Sequence, residues 1–347
     1  MRLTIQAGIV GLTKTKQQLL DSEYTNLQLF LKGEKDARLY SANKQQALRY
    51  YKIIKPDREY PISLRNDLID LKKAKRFWFL KIPVAGQRGG IKVPIKPHRD
   101  IPEGKLCESK LVRKDKNYIA MLTFDIPAPP VRVPSSILAV DLGERFSATA
   151  VLLQNGSVMK PKFMGKEIRG VRRHYAWLRK RLQKRGLLKD VKRIGHKEHR
   201  IVNDMLHKVS KAVVSLADQT NSCIVLGDLK GIRKRRRGKR MNRVISNMPY
   251  YRLIQMITYK ATMKGIPVIT TNEAYTSRTC HICNCEGKRK TQGLFVCPYC
   301  GEYNADLNGA INIGKKIERW LGYIPFHGAD ESEPALNHTT ECGSPWL

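Results

Sequence analysis

Apolar and polar positions change their spacing several times along the chain. Leu3, Ile5, Ala7 and Ile9 alternate with other residues, a period of two that predicts one strand within Met1–Gln17. From Gln18 to about Lys75 the apolar positions (Leu27, Phe30, Leu39, Leu48) lie further apart among helix formers, which predicts two or three basic helices. Short β-rich runs then follow at Phe77–Leu80, Ile91–Ile95 and Tyr118–Phe124. Gly-, Pro- and charge-rich turns such as Gly86–Gly90 separate them, so they predict a small antiparallel sheet or barrel. The segment Pro127–Pro134 (PAPPVRVP) is the clearest linker.

Beyond the linker, strand and helix alternate. Ile137–Val140 is a continuous apolar run of buried-strand type, Phe146–Leu153 follows a turn at Gly143, and Ser157–Met164 predicts a third strand. Helices are predicted over Lys166–Lys184, Gly195–Gln219, Pro249–Lys264 and Asp306–Leu321, with buried strands at Cys223–Leu226 and Pro267–Thr271. Such interleaving predicts an α/β layer with ligands at the carboxyl ends of its strands. The tail 322–347 carries little pattern and is expected to be disordered.

Charge narrows the partners. Sixty-five Lys and Arg against thirty Asp and Glu give +35, spread over all 347 residues. A compact chain with that excess repels itself unless a polyanion neutralises it, so nucleic acid is the natural partner. A ribosomal or generic RNA-binding protein would carry a similar coat. No stretch reaches eighteen apolar residues and no signal-peptide pattern opens the chain, so a soluble cytoplasmic protein (prokaryotic cytosol or nucleoid) without a membrane partner is expected.

Eight cysteines in a long basic chain do not suit a secreted disulfide scaffold. Cys280-x-x-Cys283 and Cys297-x-x-Cys300, thirteen residues apart, instead suit a tetrahedral zinc ion, because a two-residue gap lets one tight turn present two thiolates. Four protein ligands leave no position for a catalytic water, so this zinc is read as structural. His281 and Cys285 lie close enough to substitute, but the symmetric pairs are the better set; Cys223, in an apolar strand, reads as core.

Asp141 ends the apolar strand and precedes Leu142–Gly143. A carboxylate there is costly unless it meets a cation or a donor, though strand-end aspartates are also turn formers. Asp306, in Asn304–Ile313 (NADLNGAINI), opens the last helix, where its plain alternative is an N-cap.

Taken in order, Asp141–Gly143, Val225–Ile232 (VLGDLKGI), Tyr275–Cys280 (YTSRTC), the two cysteine pairs and Asn304–Ile313 resemble the signature of TnpB proteins, transposon-encoded relatives of the compact type V CRISPR effectors. The likeness is strong over Ile137–Leu321 and weaker before it. It implies an α+β multidomain chain: a wedge β-barrel (1–17 and 76–130) with a helical recognition insert (18–75), then an RNase H-like RuvC domain (135–276 and 304–321) holding a zinc ribbon (277–303). It also implies a single-chain ribonucleoprotein that uses a guide RNA to bind a double-stranded DNA target and cuts it beside a short adjacent motif. Two Mg²⁺ ions held by acidic groups would supply the chemistry.

One position departs from that pattern. The middle acid of the family is a Glu directly before Asp-Leu, and here that position is Gly227, followed by Asp228. Three readings stay open. Asp228 substitutes, although one step along a strand of period two points it to the other face. Glu273 reaches in from the neighbouring strand, for which a glycine at 227 leaves room. Or the chain is a nuclease-inactive RNA-guided repressor. Glu144, three residues past Asp141, reads as solvated. The run Lys230–Arg243 holds nine Lys/Arg in fourteen residues. Its Lys230, Arg233, Lys234, Arg235, Arg236, Arg237, Lys239 and Arg240 are candidate nucleic-acid contacts, as are His207 and Lys208 and the arginines of the 166–184 helix.

Overall fold

The structure is a computed structural model. It describes residues 1–321 except 35, 56–57, 75–76, 116, 155–156, 160, 230–237, 239–241 and 243–248. The basic run 230–243 and the tail 322–347 therefore lie almost wholly outside the described residues, and with them the candidate contacts Lys230, Arg233, Lys234, Arg235, Arg236, Arg237, Lys239 and Arg240. Two compact units divide the chain, Met1–Ala128 and Pro129–Leu347, with the boundary inside the Pro-rich segment.

In the first unit, β1 (Arg2–Ile9) precedes two helices, α1 (Lys14–Leu31) and α2 (Ser41–Tyr50). Seven strands follow: β2 (Ile62–Leu64), β3 (Asp70–Ala74), β4 (Phe77–Ile82), β5 (Ile91–Pro97), β6 (Lys105–Leu106), β7 (Ser109–Lys114) and β8 (Asn117–Asp125). They form one sheet in the order β2-β7-β8-β1-β5-β4-β3, with β6 also on β8. The alternation read in β1 buries Leu3, Ile5, Ala7 and Ile9 against Leu20, Tyr24 and Leu27 of α1. The helical reading of 18–75 runs too far. Helix stops at Tyr50, and residues 62–64 and 70–74 join the sheet. Ile62–Leu64 is buried on both faces, while β3 is a mostly exposed edge strand, so neither shows the alternation that marks a half-buried strand.

The second unit begins with β9 (Ser136–Asp141), β10 (Ala148–Gln154), β11 (Ser157–Val158) and β12 (Lys162–Met164). Then come α3 (Lys166–Lys184), α4 (Leu188–Gln219), β13 (Ser222–Asp228), α5 (Tyr250–Thr262) and β14 (Val268–Asn272). A small hairpin sheet, β15 (Lys288–Arg289), β16 (Leu294–Cys297) and β17 (Gly301–Asn304), leads into α6 (Ala305–Leu321). The main sheet has the order β11-β10-β9-β13-β14, with β12 also on β10. β10 is antiparallel to β9, whereas β9, β13 and β14 run parallel. Alternate residues of β9 and β13 face opposite layers. Leu138, Val140, Ile224 and Leu226 pack on Val202, Leu206, Val213, Leu253 and Ile257 of α4 and α5. Ile137, Ala139, Cys223 and Val225 pack on Ala310, Ile311 and Ile313 of α6, which places Cys223 in the core. At Gly314 a Cβ would collide with Leu153 and Ala139, so the missing side chain lets α6 sit close on the sheet. Because the three parallel strands share one direction, their carboxyl ends, at Asp141, Asp228 and Asn272, open on one edge.

Candidate active site and metal centre

Three acids gather at that edge. Asp141 is the last residue of β9, Glu273 the first beyond β14, and Asp306 lies in the first turn of α6. Asp306 is not the helix cap. Asn304 Oδ1 accepts from the backbone N–H groups of Asp306 (3.0 Å) and Leu307 (3.1 Å), so the cap is Asn304 and the Asp306 carboxylate is left for other work. Asp141 lies against the same helix one turn on, its Oδ2 3.0 Å from where a Cβ on Gly309 would stand.

Glu273 fills the space over Gly227. The parallel register pairs Gly227 with Thr271, so the acid two residues later lies beside the end of β13. A Cβ built on Gly227 would overlap the Glu273 carboxylate and its Cγ. Asp228 is the exposed last residue of a strand that is otherwise buried, and its charge is felt at Glu273.

The electrostatics bind the group together. Burial, then the charges of Glu273 and Asp306, push the Asp141 carboxyl up to about 7, with Arg289 opposing. Burial, then Asp228, pushes Glu273 up to about 7, opposed by Lys316. Asp306 is raised by burial and relieved by Arg289 and Arg145. Glu273 Oε1 and Asp306 Oδ2 are both buried without a hydrogen-bond partner. Buried carboxylates with orphaned oxygens are what a hard divalent cation satisfies, so the chemistry of this donor set fits Mg²⁺. The acids are spread out, however. Among the described residues, the only set of three or more potential ligands whose donor atoms all lie within 4.8 Å of one another is the four-cysteine set.

In that set Cys280, Cys283, Cys297 and Cys300 converge, with Cys283 Sγ and Cys297 Sγ 3.5 Å apart. The Cys297 thiol lies at about 7 despite its burial, because backbone N–H groups of Tyr299 and Cys300 point at it. Four thiols that close on one point, with knuckle amides aimed at them, fit a zinc ion. His281 and Cys285 stand outside the set: His281 Nδ1 meets Asn308 Oδ1 at 2.9 Å, and Cys285 Sγ faces the Cys283 carbonyl. The ribbon also sends a cation to the acids, since Arg289 Nη2 donates to Asp306 Oδ1 at 2.7 Å.

Sequence reasoning missed Arg289, which lay in a charge-rich hairpin with nothing to single it out. It also misread Glu144. Rather than solvated, Glu144 is mostly buried and ion-paired with Arg169 (2.9 Å) and Arg173 (3.7 Å) of α3. Arg172 and Arg179 of the same helix pair with Glu198 of α4. Several α3 arginines are thus engaged within the fold. His207 is half-buried, its carbonyl accepting from Lys260 Nζ at 2.8 Å, and exposed Lys208 pairs with Asp204.

The solved structure of a Cas12f1–sgRNA–target DNA complex is similar at a TM-score of 0.57 and 13% identity, covering 86% of this chain and 82% of that one. Fold and site together define the class: a mixed α/β protein built like the compact type V effectors, with acids at a sheet edge and a four-cysteine knuckle. The model of the Cas12f1-like TNB domain matches residues 250–313. A TnpB-like protein of Methanocaldococcus jannaschii is 27% identical over 192 residues, 52% of this chain and 69% of that protein. The CRISPR-associated endodeoxyribonuclease Cas12f2 of a Micrarchaeota archaeon is 33% identical over 129 residues, 33% of this chain and 24% of that protein. The chain is thus similar to TnpB-like proteins and compact type V effectors, each sequence match covering part of its length. No helix among the described residues is long and apolar enough to cross a membrane.

Proposed function

We propose that the protein is an RNA-guided DNA endonuclease of TnpB type, acting as a single-chain ribonucleoprotein in a prokaryotic cytosol or nucleoid. A guide RNA selects the double-stranded target by pairing, and cutting falls beside a short adjacent motif. The first unit serves as wedge and recognition region, with the helical part confined to α1 and α2. Residues 135–276 and 304–321 form the nuclease domain, and 277–303 its zinc ribbon.

Asp141, Glu273 and Asp306 hold the catalytic Mg²⁺. When bound, the metal lowers the pKa of a water and offsets charge on the leaving oxygen of the phosphodiester. Asp141 and Asp306 present oxygens from a strand end and a helix start, two rigid elements that fix their separation. Glu273 completes the set from the side, over the bare backbone of Gly227. Arg289 steadies Asp306 and adds positive charge where a phosphate would approach. The four cysteines hold a structural zinc that keeps the Arg289 hairpin in place.

The observation that carries this reading is the Glu273 carboxylate lying in the space above Gly227, with Asp141 in its field. It favours a cutting enzyme over a binding-only regulator, because a regulator has no use for a buried Asp306 and a Glu273 whose charges both push up the Asp141 carboxyl. Glu273→Gln tests it. Guided cleavage should fall below detection while guide-RNA and target binding stay at wild-type levels. Cleavage at the wild-type rate would remove Glu273 from the site, and a wild type that cuts no target under any guide would favour the repressor.

A further inference from the structure

The motif Asn304–Ile313 contains more polar residues than a capped helix with one acid needs. On α6, Asn308, Asn312 and Lys316 recur every four residues and form one stripe along the helix. Each reaches the same neighbouring segment, residues 272–281, which connects the end of β14 to the first zinc cysteine. Asn308 Nδ2 donates to the Thr279 carbonyl at 2.8 Å, and its Oδ1 accepts from the His281 backbone N–H at 2.9 Å. Asn312 Nδ2 donates to the carbonyls of Thr276 (2.9 Å) and Thr279 (2.7 Å). Lys316 Nζ donates to the carbonyls of Asn272 (2.8 Å) and Ala274 (2.7 Å), the two residues that flank Glu273.

These bonds define a short, fixed loop. Asn272 Oδ1 accepts from the Ala274 backbone N–H at 2.8 Å, and Thr276 Oγ1 donates to the Glu273 carbonyl at 2.9 Å. Tyr275 adopts a left-handed φ of +68°, a conformation that a bulky residue keeps only where its surroundings hold it. Glu273 itself makes no such bond through Oε1, which is buried without a partner. What aims its side chain across Gly227 is therefore the backbone on either side. Lys316 grips that backbone at both points.

Resting on the reading of Glu273 as a metal-holding acid, we infer that Lys316 is a positioning residue for it. An acid supplied from a loop beyond a strand lacks the ladder that fixes Asp141 at the end of β9. Lys316 supplies the missing constraint by bridging two carbonyls, and does so from the helix that carries Asp306. One helix thus sets two of the three acids, Asp306 directly and Glu273 through Lys316. The Lys316 charge also lies in the field of Glu273 and opposes the upward pull of burial on its carboxyl. Partners of this kind, one shell out from a metal ligand, are worth about ten- to a hundredfold in metal affinity or activity.

Three variants, assayed as the full guide-RNA complex, test the assignment: Lys316→Met, which keeps the stem and loses the donor, Lys316→Arg, which keeps donors and charge, and Glu273→Gln. Cleavage is followed at single turnover against Mg²⁺ concentration, and Mn²⁺ binding by loss of the free-ion paramagnetic resonance signal. Lys316→Met should cut about tenfold or more slowly at Mg²⁺ levels that saturate the wild type, and bind Mn²⁺ about tenfold more weakly. Its zinc content and target affinity should be unchanged, and Lys316→Arg should recover most of the loss. Wild-type Mn²⁺ affinity and Mg²⁺ dependence in Lys316→Met would overturn the inference. So would loss of zinc or target binding alongside cleavage, which would make Lys316 a general brace. If Glu273→Gln is inert while Lys316→Met behaves as wild type, only this inference falls. If Glu273→Gln still cuts, the reading beneath it falls.

Discussion

Gly227 has no side chain, and the Glu273 carboxylate lies where one would be. Gly227→Ala should therefore displace Glu273 and slow guided cleavage by about a hundredfold, the cost of misplacing a reacting group by roughly an ångström. Target binding should not change. The exchanged pair Gly227→Glu with Glu273→Ala should cut faster than Gly227→Ala alone, since it returns a carboxylate to the same space from the other strand; equal rates would argue against a shared position. The acids also make a pH prediction. Asp141 and Glu273 stand at about 7 in the fold, against ordinary values of 3.8 and 4.5. A raised carboxyl means that the fold prefers the protonated form. Stability from these groups is fully present below the ordinary values and is lost as pH rises through about 7. A divalent cation relieves the repulsion only once the protons have left. The rise in melting temperature on adding Mg²⁺ should then be larger near pH 8 than near pH 6, and equal shifts at both would count against the acids as its site.

At the scale of elements, α6 joins the parts. It starts at the Asn304 cap that ends the ribbon strand, carries Asp306, covers one face of the sheet with Ala310, Ile311 and Ile313, and holds the 272–281 segment with Asn308, Asn312 and Lys316. The ribbon in turn places Arg289 against Asp306, so removing its metal should be felt at the acids. Stripping zinc with a chelator, or Cys283→Ser, should lower cleavage even at saturating Mg²⁺ and expose the 277–303 amides to hydrogen exchange. Unaltered exchange would mean that the cysteines hold nothing. Element boundaries were legible in proportion to their apolar pattern. α3 runs over Lys166–Lys184 as its amphipathic spacing predicts, whereas α4 begins at Leu188, well before the predicted Gly195. Its first two turns carry Leu188, Val191 and Ile194 at a helical spacing but start without a side-chain cap, so no cap signal marks where the helix begins. The edge strand β3 escaped because its mostly exposed residues show no apolar alternation.

For the whole molecule, a net charge of +35 makes binding electrostatic in its main part. Affinity for a guide RNA or a DNA target should fall steeply with salt, log K dropping by about 0.9 per phosphate neutralised per decade of salt on duplex DNA and about 0.7 on a single strand. A shallow slope in a salt titration would show that few of these cations face nucleic acid. Some have ion-pair partners within the fold: Arg169, Arg172, Arg173 and Arg179 are paired with Glu144 and Glu198. By itself the sequence determined the two-residue cysteine gaps, the alternation of strand and helix after the Pro-rich segment, and the placing of Asp141 at a strand end and Asp306 at a helix start. Each is a local matter of spacing, period or capping chemistry. It also left room at Gly227 for an acid from elsewhere. Only the tertiary structure decided which residue meets that space, because the answer depends on the parallel register of β13 and β14 and on a loop gripped by a lysine forty-three positions further along the chain than Glu273. The same holds for Arg289 on Asp306. That pairing is a contact between segments that sequence spacing does not relate, and packing alone brings them within reach.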